Sequence, residues 1–260
     1  MKYKSSFTKK DLVVILVSVA FALANLGAVG RSTGRRRAKE FVCLSNLMRW
    51  GRIFQAFTND NDGYFAERSG DEPPSMYEWP VTFESYYKNP RMLLCPEATK
   101  SWDEGGRNPF MAWWYDGDET GMAVSSYCIN LWTSNETGSG KVGGNRQLFW
   151  RTPHVKDASC APILLDGQWK DADPTPWDEP PEHEGAWWTP NEHEMRRPCV
   201  NRHNGGVNGL FLDFSARKVG LKELWEIWWY RGWPEDRAAA GVPDWATEAP
   251  WMQNFKDYSP

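Results

Sequence analysis

Hydrophobic and polar positions divide the chain into three regimes. Residues 12–29 form a run of eighteen residues without a charge, and about 18 predominantly apolar residues are enough to span a hydrocarbon core as a helix. The pattern predicts a transmembrane helix over 12–29, with residues 1–11 as its short leading end. A cleavable secretory signal is the rival reading, because Ala22-Leu23-Ala24 resembles a small-residue cleavage site, although the apolar run is long for that role. In the second regime Phe41, Leu44, Leu47, Met48, Phe54 and Phe57 recur near i, i+3, i+4 spacing. Lys39, Glu40, Asn46, Arg49, Arg52 and Gln55 fill the other face, which predicts an amphipathic helix over 30–58. Gly27, Gly30 and Gly34 offer a bend where the two helical stretches meet. Asn59-Asp60-Asn61-Asp62-Gly63 is a dense turn signal that should stop the helix.

From Tyr64 onward short hydrophobic runs alternate with turn clusters. Candidate strands are 125–131, 161–165, 208–213 and 217–219, with Asp213-Phe214-Ser215-Ala216 as the turn of a hairpin between the last two. Residues 221–230 read as a short amphipathic helix. Residues 69–80 and 169–198, and the tail after Trp233, are dense in Pro, Asp, Glu and Trp and have no period. They read as long loops pinned by aromatic side chains, since disordered segments are poor in aromatics. The fold class expected is α+β: a long N-terminal transmembrane and amphipathic helix, then a Trp-rich β head over 59–260 with long loops.

Charge and cysteine usage narrow the function classes. With 30 basic and 34 acidic side chains the net charge is −4, so no global field favours nucleic acid and none is expected as a partner. Lys2, Lys4, Lys9 and Lys10 precede the apolar run, and Arg31, Arg35, Arg36, Arg37 and Lys39 follow it. By that count alone the C-terminal flank is the cytoplasmic one. Cys43, Cys95, Cys128, Cys160 and Cys199 lack CxxC spacing, which argues against zinc fingers and thioredoxin-type motifs. In an oxidising compartment four could pair and leave one over; alternatively each is a small buried apolar residue.

Candidate chemistry is sparse. A calcium loop with Gly63 at position 6 would place Thr58 at position 1 and Ser69 at position 12, where the motif needs an acidic first ligand and a bidentate Glu, so a plain turn is favoured. Glu182-His183-Glu184 and Glu192-His193-Glu194 combine good metal-ligand types, but Pro180, Pro181 and Pro190 break any shared helical face. Solvated loop charge is the preferred reading. Arg202-His203-Asn204-Gly205-Gly206 precedes the hairpin, and a His near Asp213 could serve acid–base work. No serine elbow, paired-carboxylate signature or phosphate loop accompanies it. The segment therefore reads as a structural turn motif of Arg202, His203, Asn204, Gly205, Asn208 and Asp213. No catalysis, metal or cofactor is expected. The 17 tryptophans, with pairs Trp113-Trp114, Trp187-Trp188 and Trp228-Trp229, either build a core short of aliphatics or present a surface for sugars or partners.

Ser6-Phe7-Thr8-Lys9-Lys10-Asp11 ahead of the apolar run resembles a type IV prepilin signal, in which glycine precedes Phe-Thr-Leu-Ile-Glu and a hydrophobic helix. Ser6 stands at the glycine, Lys9 and Lys10 at apolar positions, and Asp11 at the glutamate. Further matches follow in order: Val42-Cys43-Leu44-Ser45-Asn46-Leu47, Asn59-Asp60-Asn61-Asp62-Gly63-Tyr64-Phe65, Leu94-Cys95-Pro96, and the segment from Arg202 to Asp213. Over most of its length the chain resembles the large, planctomycete-type pseudopilin-like proteins of the type II secretion class.

That resemblance implies cleavage between Ser6 and Phe7, methylation of Phe7, and a helix half embedded in the inner membrane before a small pilin-like periplasmic head. It implies that Asp11 pairs with a neighbouring subunit's N-terminal amine, the partner a lipid-facing carboxylate requires. The periplasmic location overrides the flank count and would allow disulfides Cys43–Cys95 and Cys128–Cys160. The function expected is a non-enzymatic structural subunit, or membrane-anchored accessory, of a type II secretion or type IV pilus-like system. Its partners would be other pilin-like subunits or secretion-system membrane proteins and the lipid bilayer. The alternative is a membrane-tethered module whose exposed Trp hold a glycan or a protein; a third reading is a metallohydrolase using His183, His193 and His203.

Overall fold

In the computed structural model the described residues are 9–68, 75–117, 121–136, 145–187, 192–245 and 249–256. Met1–Lys39 and Glu40–Pro260 are two separate compact units. Helix α1 (Lys9–Asp60) is continuous over 52 residues, so the glycines at 27, 30 and 34 do not interrupt it. Among the described residues no helix is long and apolar enough to cross a membrane, which overturns the transmembrane expectation for 12–29. Ser18 and Asn25 interrupt the run, and Arg31, Arg35, Arg36, Arg37 and Lys39 follow it within the same helix. Ser6 and Phe7 lie outside the described residues, and of Asp11 only the helical backbone is described.

In the Glu40–Pro260 unit the remainder of α1 buries Cys43, Leu47, Trp50, Phe54 and Phe57, spaced four and three apart as one helical stripe demands. This stripe is rotated from the expected face. Phe41 is 69 % exposed and Met48 45 %, while Trp50, whose indole donates to Met92 O at 2.9 Å, takes the inner position. After Asp60 the helix stops in a turn with Asp62 and Gly63 at φ 54° and 84°. Gly63 N–H returns to Thr58 O at 2.7 Å, a left-handed cap that glycine adopts without a Cβ penalty.

Among the described residues seven strands follow: β1 (Trp113–Gly117), β2 (Gly121–Ser125), β3 (Tyr127–Asn130), β4 (Pro162–Asp166), β5 (Asp171–Ala172), β6 (Gly206–Phe211) and β7 (Ala216–Gly220). β1 and β2 form a separate hairpin; the rest form a sheet ordered β5-β3-β4-β6-β7, antiparallel except for β3 with β5. One sheet face packs Tyr127, Ile129, Ile163 and Leu210 with Trp50 and Phe54 of α1. The other packs Leu165, Val207, Phe211 and Val219 with Leu221, Leu224, Trp225 and Trp229. With both faces covered, β4 and β6 are buried at every position, without the alternation of a half-exposed strand.

The helix expected over 221–230 does not form; only Lys222–Trp225 makes a 3-10 turn. The reason lies in competing donors. Trp228 N–H goes to Cys160 O at 2.9 Å, and Leu224 O, its helical partner, accepts the Trp229 indole at 2.7 Å instead. The same chemistry pins the loop after Trp169. Indoles of Trp79, Trp132, Trp245, Trp225 and Trp251 donate to the carbonyls of Lys170, Pro174, Pro176, Asp178 and Pro181 at 2.8–3.1 Å. An extended Pro-rich loop offers carbonyls with no internal partner, and the indole N–H, a donor only, matches them.

Candidate functional site

Four segments converge beneath the sheet's α1 side. The stripe of α1 supplies Cys43, the turn after the 3-10 helix Pro90–Leu93 supplies Cys95, β4 ends on Asp166, and the segment before β6 supplies Arg202 and His203. Local sequence dictates each approach. Gly167 lets the chain leave β4 tightly, because a Cβ there would sit 2.3 Å from Cys128 Cβ. Asn204 and Gly205 take φ 52° and 86°, and Gly205 N–H donates to Asn201 Oδ1 at 2.6 Å. That reversal turns Arg202 and His203 inward together.

The resulting centre is sealed from solvent. Cys43 Sγ lies 3.4 Å from Tyr127 OH and 3.6 Å from Asp166 Oδ1. His203 Nε2 lies 3.3 Å from Cys95 Sγ and 3.0 Å from Asp166 Oδ2. Asn208 N–H donates to Asp166 Oδ2 at 2.8 Å. The Arg202 guanidinium reaches Asp166 Oδ1 at 3.3 Å and donates to the carbonyls of Pro109, Met111, Ser126 and Gly167 at 2.6–3.3 Å. Burial alone raises the Asp166 carboxyl, but His203 and Arg202 outweigh it and hold it down at about 2. Burial alone lowers His203, and Asp166 reverses this to about 10. Burial pushes the Cys95 thiol well up.

Sequence reasoning finds His203 but not its partner. The carboxylate beside it is Asp166, 37 residues away and unmarked by any motif; Asp213 is exposed in the β6–β7 turn, accepting from Ser215 N–H and Oγ–H. Backbone groups hold the turn, through His203 N–H to Gly206 O at 2.9 Å, and the imidazole serves the centre. All five cysteines are free thiols, including the four that the resemblance would pair. Cys43 and Cys95 belong to the centre, whereas Cys128 is buried in β3 and Cys160 is half-buried in the turn Ala158–Cys160. The three histidines of the hydrolase reading do not converge on one site. His183 is exposed, and His193 accepts Glu179 N–H at Nδ1, 3.1 Å. Among the described residues, Cys43, Cys95, Asp166 and His203 form a group able to hold a metal, with one ligand atom each inside 4.8 Å.

A second feature of the same unit is an open cleft of about 870 Å³ lined by Trp102, Trp113, Trp114, Trp169, Trp187 and Arg107. Trp102, Trp114 and Trp187 are exposed, and the Arg107 guanidinium lies 4.2 Å above the Trp102 ring. The cleft draws on the first two adjacent Trp pairs; Trp188 lies outside the described residues, and Trp229 of the third is buried in the core. No family model, curated protein or solved structure matches this chain.

Proposed function

We propose that the protein is a structural subunit of a pseudopilin-like assembly, joined to further copies or related subunits through α1. The observation carrying this reading is where apolar side chains remain exposed. Val13, Val14, Ile15, Leu16 and Val17 in the first unit, and Phe41, Val42 and Met48 in the second, are exposed and all belong to α1. Exposed apolar residues gathered on one helix mark an interaction surface. Phe41 and Met48 are seven residues apart and share a helix face, and burying each against a partner helix contributes about 1.5–3 kcal/mol. Sedimentation velocity of the full chain across micromolar concentrations tests this. The expected result is concentration-dependent association that Phe41→Glu with Met48→Glu weakens; a wild type monomeric throughout would overturn it.

The Trp-lined cleft favours a second reading, a module that holds a glycan. Aromatic faces present flat apolar area at low entropic cost. Titration of the full chain with oligosaccharides, read by tryptophan fluorescence, should show saturable quenching that Trp102→Ala abolishes. An unresponsive wild type would remove this reading.

A further inference from the structure

We infer that Cys43, Cys95, Asp166 and His203 form a closed, structural zinc site that fastens the Glu40–Asp60 part of α1 to the sheet. The donor set is the first argument. Two thiolates, one imidazole and one carboxylate make a four-coordinate N/O/S set suited to zinc, and a site with no open position is structural rather than catalytic. Spacing is the second. Tetrahedral zinc with bonds of about 2.0–2.3 Å has ligand-to-ligand edges of about 3.3–3.8 Å. With Asp166 Oδ2 as the carboxylate ligand, the edges here are 3.3 Å for Cys95 to His203, 3.0 Å for His203 to Asp166, and 3.7 Å for Cys43 to Asp166. Of these, the His203–Asp166 edge has to open by about 0.3 Å, and the other two already lie at coordination spacing, with all four ligand atoms inside 4.8 Å.

Charge is the third argument. Two thiolates and a carboxylate exceed a divalent cation by one negative charge, and Arg202, with its side chain fully buried against Asp166, supplies the matching positive charge. The outer contacts suit the bound state as well. Tyr127 OH is placed to donate to the Cys43 sulfur, and Asn208 N–H and Arg202 hold Asp166, the supports that fix ligands in metal sites. The four ligands come from four segments far apart in sequence, so the ion would cross-link α1, the Cys95 turn, the end of β4 and the segment before β6. This inference does not depend on the assembly reading, because it concerns the head's own stability.

The site is sealed, so metal must enter during folding. The full chain is therefore purified under reductant, assayed for zinc by elemental analysis, and separately refolded from guanidinium with cobalt(II). The expected result is one zinc per chain and, with cobalt, thiolate-to-metal charge transfer with intense tetrahedral d–d bands. Cys43→Ser with Cys95→Ser should lose both signals, while Cys128→Ser, a buried cysteine outside the centre, should keep them. A reduced wild type that stays metal-free in both preparations would overturn the site. Metal retained by the double cysteine variant would overturn it too, by placing the ion elsewhere.

Discussion

Arg202→Met tests how much of the head's stability rests on one buried cation. The guanidinium is fully buried against an equally buried Asp166 and also donates to four backbone carbonyls. Methionine keeps most of the stem volume and removes every donor. Removing one partner of a buried ion pair costs about 3–5 kcal/mol, because the other charge stays buried. Ser126 O keeps the Gly167 N–H at 3.0 Å, and each of the other three carbonyls, left without Arg202, adds about 1 kcal/mol at the low end. His203 still faces Asp166 and offsets part of this, so about 4 kcal/mol is a floor, set against a typical domain stability of about 5–15 kcal/mol. In urea unfolding followed by tryptophan fluorescence, a slope of about 2 kcal/mol/M turns that floor into a midpoint lower by about 2 M. Arg217→Met is the comparison. Its pair with Glu223, at 2.5 Å, is 39 % exposed on the Arg217 side, and such pairs contribute about 0–1 kcal/mol. An Arg202→Met midpoint within about 0.5 M of wild type would refute the claim that a sealed charge organises this core.

Three further outcomes follow from the same structure. Burial raises Asp171 to about 6 and Glu194 to about 8, against the pull of Arg197 on both, so the folded chain holds protons that the unfolded chain releases near pH 4–5. Stability should therefore fall as pH rises from about 4 to 8 and, because Asp166 holds His203 up at about 10, go on falling towards pH 10; Glu194→Gln should flatten the part of that decline between about pH 5 and 8 in urea midpoints taken across pH. A wild-type stability that rises over that range would contradict the assignment. Gly167→Ala places a Cβ 2.3 Å from Cys128 Cβ; overpacking of about 1–3 kcal/mol should lower the melting temperature by several degrees, and an unchanged value in calorimetry would show that the β4 exit is loose. Trp225→Phe keeps a ring in the core but orphans the Asp178 carbonyl, for about 1–3 kcal/mol. Limited proteolysis should then cut faster within 174–181, and unchanged cleavage would mean that the indole does not pin that loop.

Local pattern made several elements legible. Strands β3, β4, β6 and β7 fall where short apolar runs lie between turn signals, and the helix stop falls on the Asn/Asp/Gly cluster. Spacing also marked the head-side helix, although its inner face depended on what it met: Phe41 and Met48 lie outward because the sheet receives Cys43, Trp50 and Ile53. The apolar run at 12–29 misled in a different way. It suggested an element ending near Val29, while the helix that forms runs without a break from Lys9 to Asp60, and among the described residues none is long and apolar enough to cross a membrane.

The centre was the least legible part. His203 stood out beside its glycines, but Cys43, Cys95 and Asp166 lie up to 160 residues away from it, without spacing between them that any ligand motif uses. Sequence by itself determined what depends on neighbours in the chain: strand placement, the left-handed turns at Asp62-Gly63 and Asn204-Gly205, and a loop rich in unpaired carbonyls. Only the tertiary structure decided which donors met those carbonyls, which face of α1 turned inward, and which carboxylate faced His203. These choices follow from burial, since a polar group sealed from water takes whichever partner the packing of distant segments brings within hydrogen-bond reach.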